Sequence, residues 1–171
     1  MNKKVSAILA DITQLGVDVI VNAANEDMRG GGGVDGAIHN AAGTELVLET
    51  VKAAPLYVAK TFVTSGFNLK APHIVHTVGP MYDRGRSGEY IALEMCYRNV
   101  IKTADSLSAK TIAIPAISAG VYGFPADRAA RIAVETSVDE ASKYEGIEEI
   151  LLVAYDGKTL ELYKKILAEI R

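Results

Sequence analysis

The densest chemical signal in the chain is a run of glycines that ends in an acid: Gly30, Gly31, Gly32 and Gly33, then Val34, Asp35 and Gly36. Six of the 15 glycines fall between positions 30 and 43. Glycine loses more backbone freedom on folding than any other residue, so four in a row need an offsetting gain, and close approach of backbone to a ligand is the usual one. A glycine loop that opens a helix aims free N–H groups at one point, which suits a phosphate. The alternative is a plain flexible loop. Such loops are usually padded with serine and charge, whereas this run lies between two regular elements. No Gly-Lys-Ser/Thr follows it, and it is not the dinucleotide pattern G-x-G-x-x-G with a distant acid.

A second backbone-rich segment spans residues 114–125, with Ser118, Ala119, Gly120, Val121, Tyr122, Gly123 and Phe124 at its centre. Its two aromatics suit packing on a sugar. Both segments link a strand to a helix, so they read as two edges of one crevice at the carboxyl ends of the strands, where open α/β sheets bind ligands. Two such loops on one ligand favour a diphosphate over a lone phosphate.

Single side chains add detail. Asn22 and Asn25 stand at a strand end, where asparagine is a poor strand former, and suggest hydrogen bonds to sugar hydroxyls. Asp35 is the carboxylate best placed for chemistry, with helix capping as its other reading. His39 lies four positions on, on the same helical face, within reach of that carboxylate. Asp11 at the end of the first strand either caps a turn or accepts an adenine amino group. Tyr155 at the end of the last strand either stacks on adenine or is ordinary core, with Asp156 beside it. His73 and His76 point to opposite strand faces and cannot chelate together; each reads as a satisfied core or surface histidine. Cys96, the single cysteine, reads as buried and inert and leaves no disulfide or multi-cysteine metal site. No serine occupies a G-x-S-x-G elbow.

The elements that must position these residues alternate. Short apolar, β-branched runs at 5–10, 17–21, 61–64, 73–78, 111–114 and 150–154 predict strands, several apolar on both faces. Helical spacing follows Pro125 (Ala130, Ala133, Val134, Val138, Ala141), recurs at Tyr163, Ile166, Leu167 and Ile170, and again at Ala92, Met95, Cys96 and Val100. A helix is expected over 34–42, with Gly43 and Gly146 where helices stop. The segments 61–64 and 73–78, joined without a helix, predict an antiparallel pair and a mixed sheet. Residues 81–88 read as the most mobile loop, over the sheet edge. The class is α/β, and 171 residues suit one domain.

Charge narrows the partners. Eighteen Lys+Arg against 21 Asp+Glu leave −3, which argues against nucleic acids held by phosphate neutralisation. No run approaches a membrane span of about 20 apolar residues, and the N-terminal stretch, interrupted by Asp11, is no signal peptide. A cytoplasmic protein without membrane contact is expected.

Taken together, Ala10-Asp11-Ile12-Thr13, Val21-Asn22-Ala23-Ala24-Asn25, the glycine run with Ala37-Ile38-His39, Ala41-Ala42-Gly43, His76-Thr77-Val78-Gly79-Pro80 and Ile117 through Pro125 resemble the macro domain family, in particular its MacroD-type branch. The likeness runs from about position 5 to 171 and implies one macro domain over 1–171. The resemblance implies a three-layer α-β-α sandwich with a central mixed sheet and a cleft for ADP-ribose. Asp11 would bond the adenine amino group, with Ile12 backbone beside it and Tyr155 against the ring. Gly31, Gly32, Gly33, Val34 and the backbone of Ser118 through Phe124 would wrap the diphosphate and distal ribose, with Phe124 against that ribose. Asn25 would hold the ribose and Asp35 would act on water. An acid at position 35 resembles the hydrolytic branch. The chain has no cysteine–histidine set resembling the zinc-containing branch, so neither metal nor cofactor is expected, and no lysine in the glycine loop, which argues against the lysine-nucleophile variant. The implied activity is hydrolysis of O-acetyl-ADP-ribose or of mono-ADP-ribosylated proteins at Asp/Glu links. The competing role is a reader that binds ADP-ribose or ADP-ribosylated proteins without turnover.

Overall fold

A computed structural model describes residues 4–170, so the first three residues and the last of the expected 1–171 domain lie outside it. Six strands form, β1 (Val5–Leu9), β2 (Val19–Ala24), β3 (Thr61–Ser65), β4 (His73–Val78), β5 (Thr111–Pro115) and β6 (Glu149–Ala154). Five α-helices connect them, α1 (Gly33–Ala42), α2 (Glu45–Thr50), α3 (Glu89–Ser106), α4 (Ala126–Ala141) and α5 (Gly157–Glu169).

Alternate strand residues face opposite sides of a sheet, and here both sides are apolar. Val19 and Val21 of β2 enter the core on one face, Ile20 that on the other. Ile112 and Ile114 of β5 oppose Ala113 in the same way. Such a sheet needs cover on both faces. Ile38 and Ala42 of α1 with Leu46 of α2 cover one. Leu93, Cys96, Tyr97, Val100 and Ile101 of α3, Ala133 and Val134 of α4, and Tyr163, Ile166 and Leu167 of α5 cover the other. The strand order is β1-β6-β5-β2-β4-β3. Only β3 is antiparallel, against β4. This is the α/β fold expected, three layers around a mixed sheet.

Several boundaries differ from expectation for physical reasons. The strand read at 17–21 begins at Val19 and runs through Asn22 to Ala24. Its start is set by Asp18, whose carboxylate accepts the N–H groups of Lys110 and Thr111. On α3 the buried stripe is Leu93, Cys96, Tyr97, Val100 and Ile101, while Met95 is exposed; Ala92 and Met95 pointed one step off the true face. Gly43 does close α1, at φ 100°, but α4 ends at Ala141 with Ser142 as its C-cap, well short of Gly146. The short α2 has no helical apolar period to announce it. Among the described residues no helix is long and apolar enough to cross a membrane.

Candidate functional site

Because β1, β2, β4, β5 and β6 are parallel, the residues that follow them emerge at one edge of the sheet. Asp11, Asn25, Gly79, Ser118 and Tyr155 are thereby brought to one side. The chain leaves β2 toward β4 and β3 but leaves β5 toward β6, so the loops part between two adjacent strands. That divergence is where such sheets carry ligand crevices. The β2–β5 ladder itself runs through only two pairs, Val19–Ile112 and Ile20–Ala113, before the strands separate.

The first wall is the glycine run. Asn25 sits just past β2; its Oδ1 accepts the Met28 N–H at 3.1 Å and its Nδ2 donates to the Gly30 carbonyl at 3.3 Å. An amide has two donors and two acceptor positions, so one of each remains for a ligand. Met28 holds φ 57°, an unusual state for a side-chain-bearing residue, and the Thr50 hydroxyl fixes it by donating to its carbonyl at 2.5 Å. Gly31 then crosses directly over the site. A Cβ there would stand 3.2 Å from Asn25 Nδ2 and 3.4 Å from Asp35 Oδ2. At Gly36, one turn below, a Cβ would fall inside van der Waals contact of the Gly31 carbonyl oxygen. The loop thus needs glycine at both levels to lie down on the helix.

Asp35 stands in the first turn of α1, where the helix dipole favours an anion. It is only 5% exposed. Its Oδ1 accepts from Asn22 Nδ2 at 2.8 Å and lies 3.5 Å from His39 Nε2. Burial pushes its carboxyl above the ordinary aspartate value, against the Asn22 bond and the His39 charge, which pull it down. Asn22 itself is fully buried. The expectation that Asn22 and Asn25 both reach sugar hydroxyls is therefore corrected: strand alternation turns Asn22 inward, beneath Asp35, and only Asn25 stands in the loop.

The second wall is residues 118–124. Ser118 adopts φ 62°, again rare for a residue with a side chain. Its hydroxyl donates to the Pro80 carbonyl at 2.7 Å, and its carbonyl accepts the Phe124 N–H at 3.3 Å. Ala119 and Tyr122 are half-buried, Gly120 and Gly123 are open, and Val121 is 99% exposed at the tip. Tyr122 lies within the fields of Glu26 and Asp35; burial first, then those charges, raise its phenol pKa. The two walls therefore face each other. Phe124 is 4% exposed, packed 5.4 Å from the Tyr82 ring and 5.9 Å from Tyr90. Little of its surface is left for a ribose to touch.

At the far end, Asp11 Oδ1 accepts from both the backbone and the hydroxyl of Thr13, capping the 3-10 turn Ile12–Gln14. The side chain is nonetheless exposed at the crevice edge, while Ile12 points into the core. Tyr155 is 93% exposed, which excludes the core reading. Asp156 caps α5 through the Thr159 N–H at 2.8 Å. Among the described residues no three His, Cys, Asp or Glu side chains gather to hold a metal. Cys96 is buried, and burial pushes its thiol up to about 11.

Residues 81–88 are better held than their composition suggests. The buried Glu89 carboxylate accepts the N–H groups of Asp83, Gly85 and Ser87, and the Tyr82 N–H donates to the Tyr122 carbonyl at 2.9 Å. Desolvation works to raise the Glu89 pKa, but the backbone donors outweigh it and hold it below the ordinary range. Their support is present above the ordinary glutamate value and is lost as pH falls through the lowered one. Glu89→Gln is expected to keep the fold and loosen this loop, seen as faster tryptic cleavage after Arg84 and Arg86 at neutral pH.

Comparison with known proteins gives one answer. The family model described as Macro domain matches residues 21–133. A macro domain-containing protein of Chlorobaculum tepidum is 43% identical over 98% of this chain and 97% of its own. A protein of Escherichia fergusonii named O-acetyl-ADP-ribose deacetylase is 43% identical over 99% of this chain and 98% of its own. Among solved structures, a macrodomain of Oceanobacillus iheyensis with ADP aligns at TM-score 0.91 and 34% identity, covering 97% of this chain and 90% of that one. A mutant of the same macrodomain was solved with ADPR. The fold, the two loops and these relatives agree: this chain belongs to the macro domain family.

Proposed function

We propose that the chain, as one macro domain over 1–171, binds ADP-ribose in this crevice and hydrolyses O-acetyl-ADP-ribose or mono-ADP-ribosylated Asp/Glu side chains. The observation that carries the reading is Asp35 Oδ2 beside Gly31 and Asn25, at the N-terminus of α1. The relatives named for the deacetylase reaction support it, as do structures of relatives with ADP and ADPR.

In this reading the backbone of Gly31, Gly32, Gly33 and Val34 holds the diphosphate from one side and that of Ser118 through Gly123 from the other. Asp11 takes the adenine amino group, with Ile12 beside it, and exposed Tyr155 stacks on the ring. Asn25 fixes the distal ribose with its remaining donor and acceptor. Asp35 orients a water and takes its proton as the water oxygen adds at the ester. The ester C–O bond breaks, the ribose oxygen recovers a proton, and acetate and ADP-ribose leave. Loop N–H groups stabilise the developing negative charge.

Incubating the protein with O-acetyl-ADP-ribose, and separately with an ADP-ribosylated protein, and following products by mass tests this. Release of ADP-ribose is expected; tight binding with no turnover would mark a reader instead. The pH dependence carries a second expectation. The base must be ionised, and burial raises its pKa, so the acid limb of kcat/KM is expected above the ordinary aspartate value of about 3.9. A limb at or below that value would remove Asp35 from the base role.

A further inference from the structure

We propose that Asn22 and His76 form a buried positioning relay that fixes which oxygen of Asp35 faces the substrate. The proposal rests on the hydrolytic reading above, since it assigns these residues a task only through Asp35.

The relay follows from register. Asn22 and His76 are directly paired across the parallel strands β2 and β4. Two residues earlier on the same face stand Ile20 and Ile74, both in the core beneath α1. The sheet therefore places two polar side chains where its pattern provides aliphatic ones, and both are fully buried. Burial of such groups is costly unless each is hydrogen-bonded.

The bonds run in one direction. Asn22 Nδ2 meets Asp35 Oδ1 at 2.8 Å and His76 Nδ1 at 3.1 Å. His76 Nε2 meets Thr64 Oγ1 of β3 at 2.9 Å. Burial, with the His39 charge adding to it, holds His76 neutral, its pKa down to about 3. A neutral ring has one donor and one acceptor nitrogen. With Asn22 donating to Nδ1, the proton sits on Nε2 and is donated to Thr64. Both Asn22 N–H groups are then spent, one on each acceptor. A flipped amide would set its oxygen against the Asp35 carboxylate, whereas in the orientation seen His76 Nδ1 supplies the acceptor that the second Asn22 N–H needs. His76 thus holds the amide the right way round for Asp35.

The arrangement leaves Asn22 Oδ1 buried with no hydrogen-bond partner among the described residues. Folding alone gains nothing from that atom, and such orphans are few in native proteins. What the orientation does secure is Asp35: its Oδ1 is held inward by Asn22 and His39, so Oδ2 is the oxygen beside Gly31 and Asn25. Asn22 and His76 touch no substrate; they act through Asp35.

The test uses His76→Leu, which removes the acceptor, and His76→Gln, whose carbonyl can replace it. With O-acetyl-ADP-ribose, His76→Leu is expected to lower kcat about 10- to 100-fold with ADP-ribose affinity within about threefold, and His76→Gln to restore most of kcat. The acid limb should move to higher pH in His76→Leu, because the Asn22 bond that lowers the Asp35 pKa is no longer held. The other groups facing Asp35 are unchanged: His39 on α1, Asn25 after β2, and Tyr122 from the second loop, which itself lies within the field of Glu26. A carbon-13 titration of the Asp35 carboxyl reads the same contact without turnover, so it stands even if the wild-type chain hydrolyses nothing and the functional reading fails. Should His76→Leu not fold, Asn22→Ser is put through the same titration, with an upward shift expected. An unmoved titration in the folded variant, or equal losses in His76→Leu and His76→Gln, would overturn the relay.

Discussion

Asp35→Ala is expected to lower turnover of O-acetyl-ADP-ribose about 10²- to 10⁴-fold, the range for loss of a positioned general base. ADP-ribose affinity is expected to stay within about threefold, because the interaction strengthens only as the reaction proceeds. Asp35→Asn should lose the same activity while keeping the shape and an acceptor for Asn22, which isolates proton acceptance from packing. Stability moves the other way. The native state binds the Asp35 proton more tightly than the unfolded chain does, because burial raises its pKa. Ionisation therefore weakens the fold as pH rises through that value. Asp35→Asn removes this penalty and is expected to melt at or above the wild-type temperature at neutral pH. A steady-state assay with a thermal melt checks both, and native turnover in either variant would end the mechanism.

Gly36→Ala is expected to weaken ADP-ribose binding about 10- to 100-fold, the equivalent of about 1–3 kcal/mol of forced displacement. Its Cβ would enter the space of the Gly31 carbonyl oxygen, a main-chain atom that cannot swing aside like a side-chain tip. The glycine loop must lift, since few bonds tie it down: Gly36 N–H to the Gly32 carbonyl at 3.2 Å and Asn25 to that of Gly30. Lifting it breaks the cradle of N–H groups and parts Gly31 from Asp35. Gly146→Ala, whose added carbon would meet only Asp105 Oδ1 at 3.9 Å, is the control and should bind normally. Titration calorimetry with ADP-ribose distinguishes them.

The parts of this fold that sequence makes legible are those with a strong local period or an unusual cost. Apolar runs such as 73–78 and 150–154 have no stable alternative to a covered strand, and a four-glycine run signals its own expense. Pairings across the sheet are a different matter. Asn22 and His76 are 54 positions apart, and only the β2–β4 register brings them together. Glu89 likewise gathers the loop before it through three backbone N–H groups, which no local pattern announces. Tyr155 could be core or rim on sequence alone, because a strand's last residue faces whatever the next turn leaves open.

The two-pair ladder between β2 and β5 has a mechanical consequence. A sheet zipped so briefly at its centre is a seam, and the crevice is that seam opened at one end. What braces it lies behind, on the opposite face. There α3 and α4 pack against each other, and Arg98 of α3 grips Asp139 and Glu140 of α4 at 2.6 and 2.8 Å. The front of the molecule is left free to part around a ligand because the back is splinted. The bracing thus comes from ion pairs between two helices, outside the glycine loop and the second wall.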